Sequence, residues 1–191
     1  MRLAAAYDWG NDTVSRAVNY PGFSDSLSDR QHAHTTQLFG EAGYAALAGP
    51  LAAEPFAGLA WVDAGTGAFA EKGGASALSN TGTDFNATYS SLGIRLAAVG
   101  ADGAPLKVTP RASLAWEHLF GTIDPSELLT FEATGQSFAI LGTPLDRDAA
   151  NIQVGLDFQV APSAKLSLSY EGVQSGRSRD NAIRADLNWN F

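Results

Sequence analysis

The chain of 191 residues has no cysteine, and only 17% of it is charged. The missing thiols exclude a disulfide framework and cysteine-based metal or redox chemistry. Basic residues are scarce beside acidic ones, giving a formal net charge of −8. That balance argues against any general affinity for nucleic acid phosphates. Long apolar runs are missing too. The best candidate, Ala42 to Val62, is interrupted by Gly49-Pro50 and Glu54-Pro55, so no transmembrane helix is expected. From Met1 to Asp8 a charge arrives before an apolar core could form, and no secretory signal is expected. What remains is 45% hydrophobic and holds 20 glycines, too apolar for disorder and too glycine-rich for a helical bundle.

Strict two-residue alternation fills the rest, clearest at the end. Ile183, Ala185, Leu187, Trp189 and Phe191 share one face, and Arg184, Asp186, Asn188 and Asn190 share the other. Ile152 to Val160, Leu166 to Tyr170, Val108 to Trp116, Leu92 to Leu96, Leu38 to Tyr44 and Leu3 to Trp9 alternate likewise. Glu54 to Val62 is less clean, because Phe56 and Val62 share the face of Glu54. About eight strands follow, forming an all-β, antiparallel, up-and-down transmembrane barrel wall in a single domain over residues 1–191. Short turns are expected near Gly49-Pro50, Gly100 to Pro105 and Pro162-Ser163. Long polar loops are expected over Gly10 to Arg30, Ala70 to Asn86, Gly121 to Arg147 and Val173 to Asp180. Such alternation of lengths matches short periplasmic turns and long extracellular loops, with the C-terminus on the periplasmic side.

In that orientation Trp9, Trp61, Trp116, Phe120 and Tyr170 fall near the outer rim. Tyr44, Phe158, Trp189 and Phe191 fall near the periplasmic rim, so two aromatic girdles are expected. A soluble ligand-binding barrel would turn its apolar face inward instead. The polar face carries Glu41, Glu54, Arg95, Arg111, Glu117, Asp157, Glu171 and Arg184, expected to line the lumen and satisfy one another and water. His32 and His34 could share a strand face, but a metal needs a third ligand, and none is evident. Gly65 to Ala70 imitates a dinucleotide fingerprint without the helix that must follow it. No catalytic residue, metal or cofactor is expected.

Several stretches, read together, resemble the autotransporter β-domain family of type V secretion. They are Pro21 to Asp25, Glu54 to Ala60, Trp116 to Gly121, Arg147 to Ala150, Gly155 to Phe158 and Leu187 to Phe191. The resemblance implies an outer-membrane translocator barrel that anchors and helps export an N-terminal passenger. Its implied partners are outer-membrane lipid and lipopolysaccharide, the barrel-assembly machinery and the chain's own passenger domain. The family's terminal assembly signal maps onto Leu187, Trp189 and Phe191. Its barrel is twelve-stranded; the resemblance places the start of this chain about four strands in, without passenger or linker helix. Glu117 stands where the family often carries a basic residue. An independent eight-stranded membrane barrel with adhesive or structural loops is the alternative expectation.

Overall fold

In the computed structural model, residues 1–98 and 107–189 are described. Alternation of apolar and polar side chains gives strands almost throughout. They are β1 (Arg2–Tyr20), β2 (Phe23–Gly43), β3 (Ala46–Ala48), β4 (Leu51–Thr66), β5 (Phe69–Ala70), β6 (Leu78–Asn80) and β7 (Thr83–Ala98). After these come β8 (Lys107–Gly121), β9 (Ser126–Phe131), β10 (Ser137–Leu141), β11 (Asp148–Ala161), β12 (Ala164–Ser175) and β13 (Arg179–Trp189). The main sheet runs β1-β2-β4-β7-β8-β11-β12-β13, each strand antiparallel to the next in the chain's own order. This is the expected up-and-down wall, and β1 and β13 are its two ends among the described residues.

The strands are staggered. Trp9 pairs with His34, His34 with Gly65, and Gly65 with Asp84, one residue from the start of β7, where the row leaves the sheet. Trp116 pairs with Leu92, Leu92 with Ala57 and Ala57 with Ala42, one residue from the other end of β2. Such drift from top to bottom is the tilt that a curved wall requires.

Curvature shows in the burial. A single flat layer would expose both faces equally. Here Glu41, Phe56, Ala87, Ala115, Leu119, Ser167 and Ser169 are buried, and all belong to the phase of Glu54 and Arg95. Leu3, Leu59, Leu92, Leu114, Ile152 and Leu168, on the other phase, are exposed. The sheet therefore curls with its polar phase inside, and its convex face is the apolar one a bilayer needs.

The turns bear out the sequence in part. Gly49-Pro50 joins β3 to β4 and Pro162-Ser163 joins β11 to β12, both as tight turns. The turn expected over Gly100 to Pro105 lies outside the described residues. The long loops are corrected. Gly10 to Arg30 continues β1 and β2 as a ribbon to a two-residue turn at Pro21-Gly22, where Pro21 fixes its own φ and Gly22 takes φ 89°. Ala70 to Asn86 contains β6 and the start of β7, and Gly121 to Arg147 contains β9 and β10. With β5, these strands make a second sheet in the order β10-β9-β6-β5. The last loop shrinks to three residues between Ser175 and Arg179. Polar strands outside the bilayer need no apolar face, so they look like loop in composition.

Candidate functional site: the inward face of the wall

Strands β2, β4 and β7 bring Glu41, Glu54 and Arg95 together. Glu54 and Arg95 face each other as a cross-strand pair, and Glu41 lies on the same phase of the neighbouring strand. Both terminal nitrogens of Arg95 donate to Glu41, at 2.9 and 2.6 Å, and Nη1 also reaches Glu54 at 3.2 Å. Arg2 closes the group 3.4 Å from Glu41. Below the guanidinium lies Phe56, its ring centroid 3.7 Å from the Arg95 Cζ. This explains the break in alternation: Phe56 points inward because a cation covers its face. Glycine makes the space. A Cβ on Gly93 would lie 2.6 Å from the Phe56 ring and 2.8 Å from the Ala115 Cβ, and one on Gly43 would lie 2.6 Å from a Glu54 oxygen. With the Glu41 side chain only 6% exposed, the two-pronged contact is a charge-assisted pair shielded from bulk water.

The remaining inward charges form smaller groups. Asp157 accepts from Lys165 at 2.9 Å and stands 3.4 Å from Arg111. Glu171 accepts from Gln153 at 2.8 Å and stands 3.7 Å from Arg184. Glu117 accepts from Asn151 at 3.3 Å. Glu41, Glu54, Arg95, Arg111, Glu117, Asp157, Glu171 and Arg184 thus share the inward phase, grouped by register. Sequence reasoning missed the contributions of Arg2, Phe56 and Lys165. A register for the neighbouring strands would have revealed Lys165, which is one strand from Asp157.

The outward phase carries the aromatic residues. Toward the outer end, Trp9, Trp116, Phe120 and Tyr170 are exposed and Trp61 is half-buried. Three of them have hydrogen-bonded polar atoms: Trp61 donates to Asn86 at 3.1 Å, Trp116 to Asp148 at 2.9 Å and Tyr170 to Asn181 at 2.7 Å. Toward the other end, Tyr44 and Trp189 are exposed and Phe158 is half-buried. Leu187 and Trp189 sit on β13, paired with Leu166 and Ala164, whereas Phe191 lies outside the described residues. His32 and His34 lie within β2 on one strand face, and His34 Nε2 is 3.6 Å from Asp63. Among the described residues no group of three or more potential ligands could hold a metal ion. The segment from Gly65 leads from the end of β4 into β5, with no helix.

Above the wall, the ribbon of β1 and β2 is held by the segment 67–77. Arg16 donates to both Glu71 oxygens, at 3.1 and 2.6 Å, and to the Ser76 carbonyl at 2.9 Å. Asp25 accepts from the Ser76 backbone at 2.9 Å and from its hydroxyl at 2.7 Å. The Arg16 hydrogen bonds hold the Glu71 carboxyl below its ordinary range, and those from Ser76 do the same for Asp25. At the last connection, Asp146 accepts from the Ser175 hydroxyl and the Arg177 backbone, both at 2.6 Å, and its carboxyl is lowered in turn.

The sequence has known relatives. The Autotransporter beta-domain family matches residues 1–171. Two relatives from Serratia marcescens, each described as an extracellular serine protease, are 34% identical over 191 residues and 33% identical over 185 residues. The matches cover 100% and 97% of this chain but only 18% of either relative, so the chain spans about a fifth of their length. A staggered wall with an apolar convex face and charged concave face, matched along nearly its whole length, belongs to the autotransporter β-domain family, the outer-membrane β-barrels of type V secretion.

Proposed function

We propose that this wall is part of the translocator barrel that anchors an N-terminal passenger and helps export it to the cell surface. The observation that carries the reading is the segregation of charge. The ion pairs centred on Arg95, Asp157 and Glu171 lie on the concave phase, while the convex phase presents leucine, isoleucine and tryptophan. A polar concave face suits an aqueous conduit, and paired charges give it fixed walls without leaving an unbalanced charge beside lipid. The convex face contacts outer-membrane lipid and lipopolysaccharide. The strand bearing Leu187 and Trp189, with Phe191 after it, is the segment read by the barrel-assembly machinery, because an unpaired strand edge invites β-augmentation.

The chain itself contributes no catalysis; the two extracellular serine proteases are proteins of which it covers 18%. An independently closed eight-stranded barrel would need pairing between β1 and β13, which stand at opposite ends of the sheet order. The test is surface arrival of the N-terminal segment of the full-length protein, detected by antibody on intact cells. Deleting β13 should abolish it. Normal surface arrival without β13 would refute the proposed role.

A further inference from the structure

Above the wall, β1 and β2 lose their neighbour. Pairing of β2 with β4 ends at Ala33, yet the ribbon continues from Asn11 and His32 to the turn after Tyr20. At the rise of an extended chain that is roughly 30 Å of two-stranded ribbon, a form only marginally stable in water by itself. Support comes from segment 67–77, which belongs to the connection between β4 and β7. Gly67 donates to the His32 carbonyl at 2.8 Å, and Ser28 and Lys72 exchange backbone hydrogen bonds, both at 3.0 Å. Arg16 grips Glu71 across 55 residues of sequence, and Asp25 grips Ser76 across 51. Leu27 and Ala77 are buried. The approach is close enough to demand glycine: a Cβ on Gly73 would strike the Ser26 carbonyl, and one on Gly74 the Asp25 carboxylate. Glu71 also accepts from the Leu78 backbone at 2.9 Å, which ties the contact to the first residue of β6.

The two halves of this clasp sit on different hairpins, β1–β2 and β4–β7, and both halves lie beyond the outer end of the wall. Once both hairpins have crossed the bilayer, the two halves meet on its outer side. We propose that the Arg16–Glu71 and Asp25–Ser76 clasp is a post-insertion lock, formed after both hairpins have crossed and opposing their withdrawal. Retraction would first have to break a two-pronged ion pair, then carry Arg16, Asp25, Glu71 and Lys72 back through apolar lipid. Contacts made after the transition state slow unfolding and leave the forward rate alone. The lock therefore acts on the lifetime of the inserted state rather than on the speed of insertion.

The test is a double-mutant cycle on the full protein in proteoliposomes, using Arg16→Ala, Glu71→Ala and both together. Insertion is followed by the appearance of the heat-modifiable band, and withdrawal by its loss after a jump into urea. Each single variant should insert within about twofold of the parent rate and unfold about tenfold faster or more. Both changes together should unfold less fast than the two single effects combined would give, because the pair is lost once while the Arg16–Ser76 and Glu71–Leu78 hydrogen bonds are lost separately. Trypsin cleavage after Lys72 should quicken in the same variants. Slower insertion, failure to insert, additive effects in the double variant, or unchanged unfolding would each overturn the lock.

Discussion

The wall and the ribbon above it are built from the same antiparallel pairing, yet different constraints hold them. In the wall, lipid favours apolar side chains on the outward phase between the rims, so charge gathers on the concave phase and pairs there, as Arg95 does with Glu41 and Glu54. In the ribbon, which lies beyond the lipid, neither phase must be apolar. Asp12, Arg16, Asp25 and Asp29 then stand among serines, and stability depends on a few long-range contacts such as those of Arg16 and Asp25. The comparison teaches that alternation records the solvent on each side of a sheet more faithfully than it records the sheet itself.

The largest break in that contrast should come from Arg95. Replacing it with leucine leaves Glu41 buried without its two-pronged partner, which costs about 3–5 kcal/mol. Equilibrium urea unfolding should show a loss of that size, whereas Arg16→Leu in the ribbon should cost less. A smaller effect separates the two faces of β8. Leu114→Arg puts a cation against lipid and should cost about 2–4 kcal/mol near mid-bilayer. The neighbouring change Ser113→Arg, on the concave phase, meets only the repulsion of Arg95 directly opposite and should cost about 1 kcal/mol or less. Equal losses at both positions would remove the assignment of faces.

Acid should distinguish the regions next. Asp25 and Glu71 have carboxyl pKa values lowered by their hydrogen bonds. A lowered folded-state value gives stability that is present above the unfolded-state pKa and is lost as pH falls through the folded one. The clasp should therefore hold through neutral and mildly acidic pH and loosen below the ordinary carboxylate range. Hydrogen exchange over 67–77, corrected for intrinsic rates, should rise only in that window. The smallest effect should be that of Trp61→Phe. It removes one hydrogen bond to Asn86 at a half-exposed rim and should cost about 1 kcal/mol or less by urea titration.

The same contrast explains what the sequence made legible. The wall strands announced themselves because lipid imposes period two, and β13 from Arg179 to Trp189 was the plainest. Phe56 looked like a flaw because its compensation, the Arg95 guanidinium, comes from another strand and requires the β4–β7 register. Glu41, Glu54 and Arg95 could be placed on one face from alternation, but their grouping could not, since stagger decides which charges meet. The ribbon and the second sheet stayed hidden. Gly10 to Arg30 has turn-like composition, and β5, β6 and β10 are two, three and five residues long, too short to show a period. The Arg16–Glu71 contact joins two segments that composition had assigned to separate loops.

Which phase meets lipid is directly measurable, because the chain has no cysteine of its own. Single cysteines at Ser113, Leu114, Gln153 and Val154, introduced one at a time and spin-labelled in proteoliposomes, report contact with oxygen in lipid or with a soluble nickel chelate in water. Labels at 114 and 154 should be relaxed by oxygen and shielded from nickel, and labels at 113 and 153 should behave in reverse. The opposite pattern, or no alternation at all, would contradict a wall that is apolar outside and charged within.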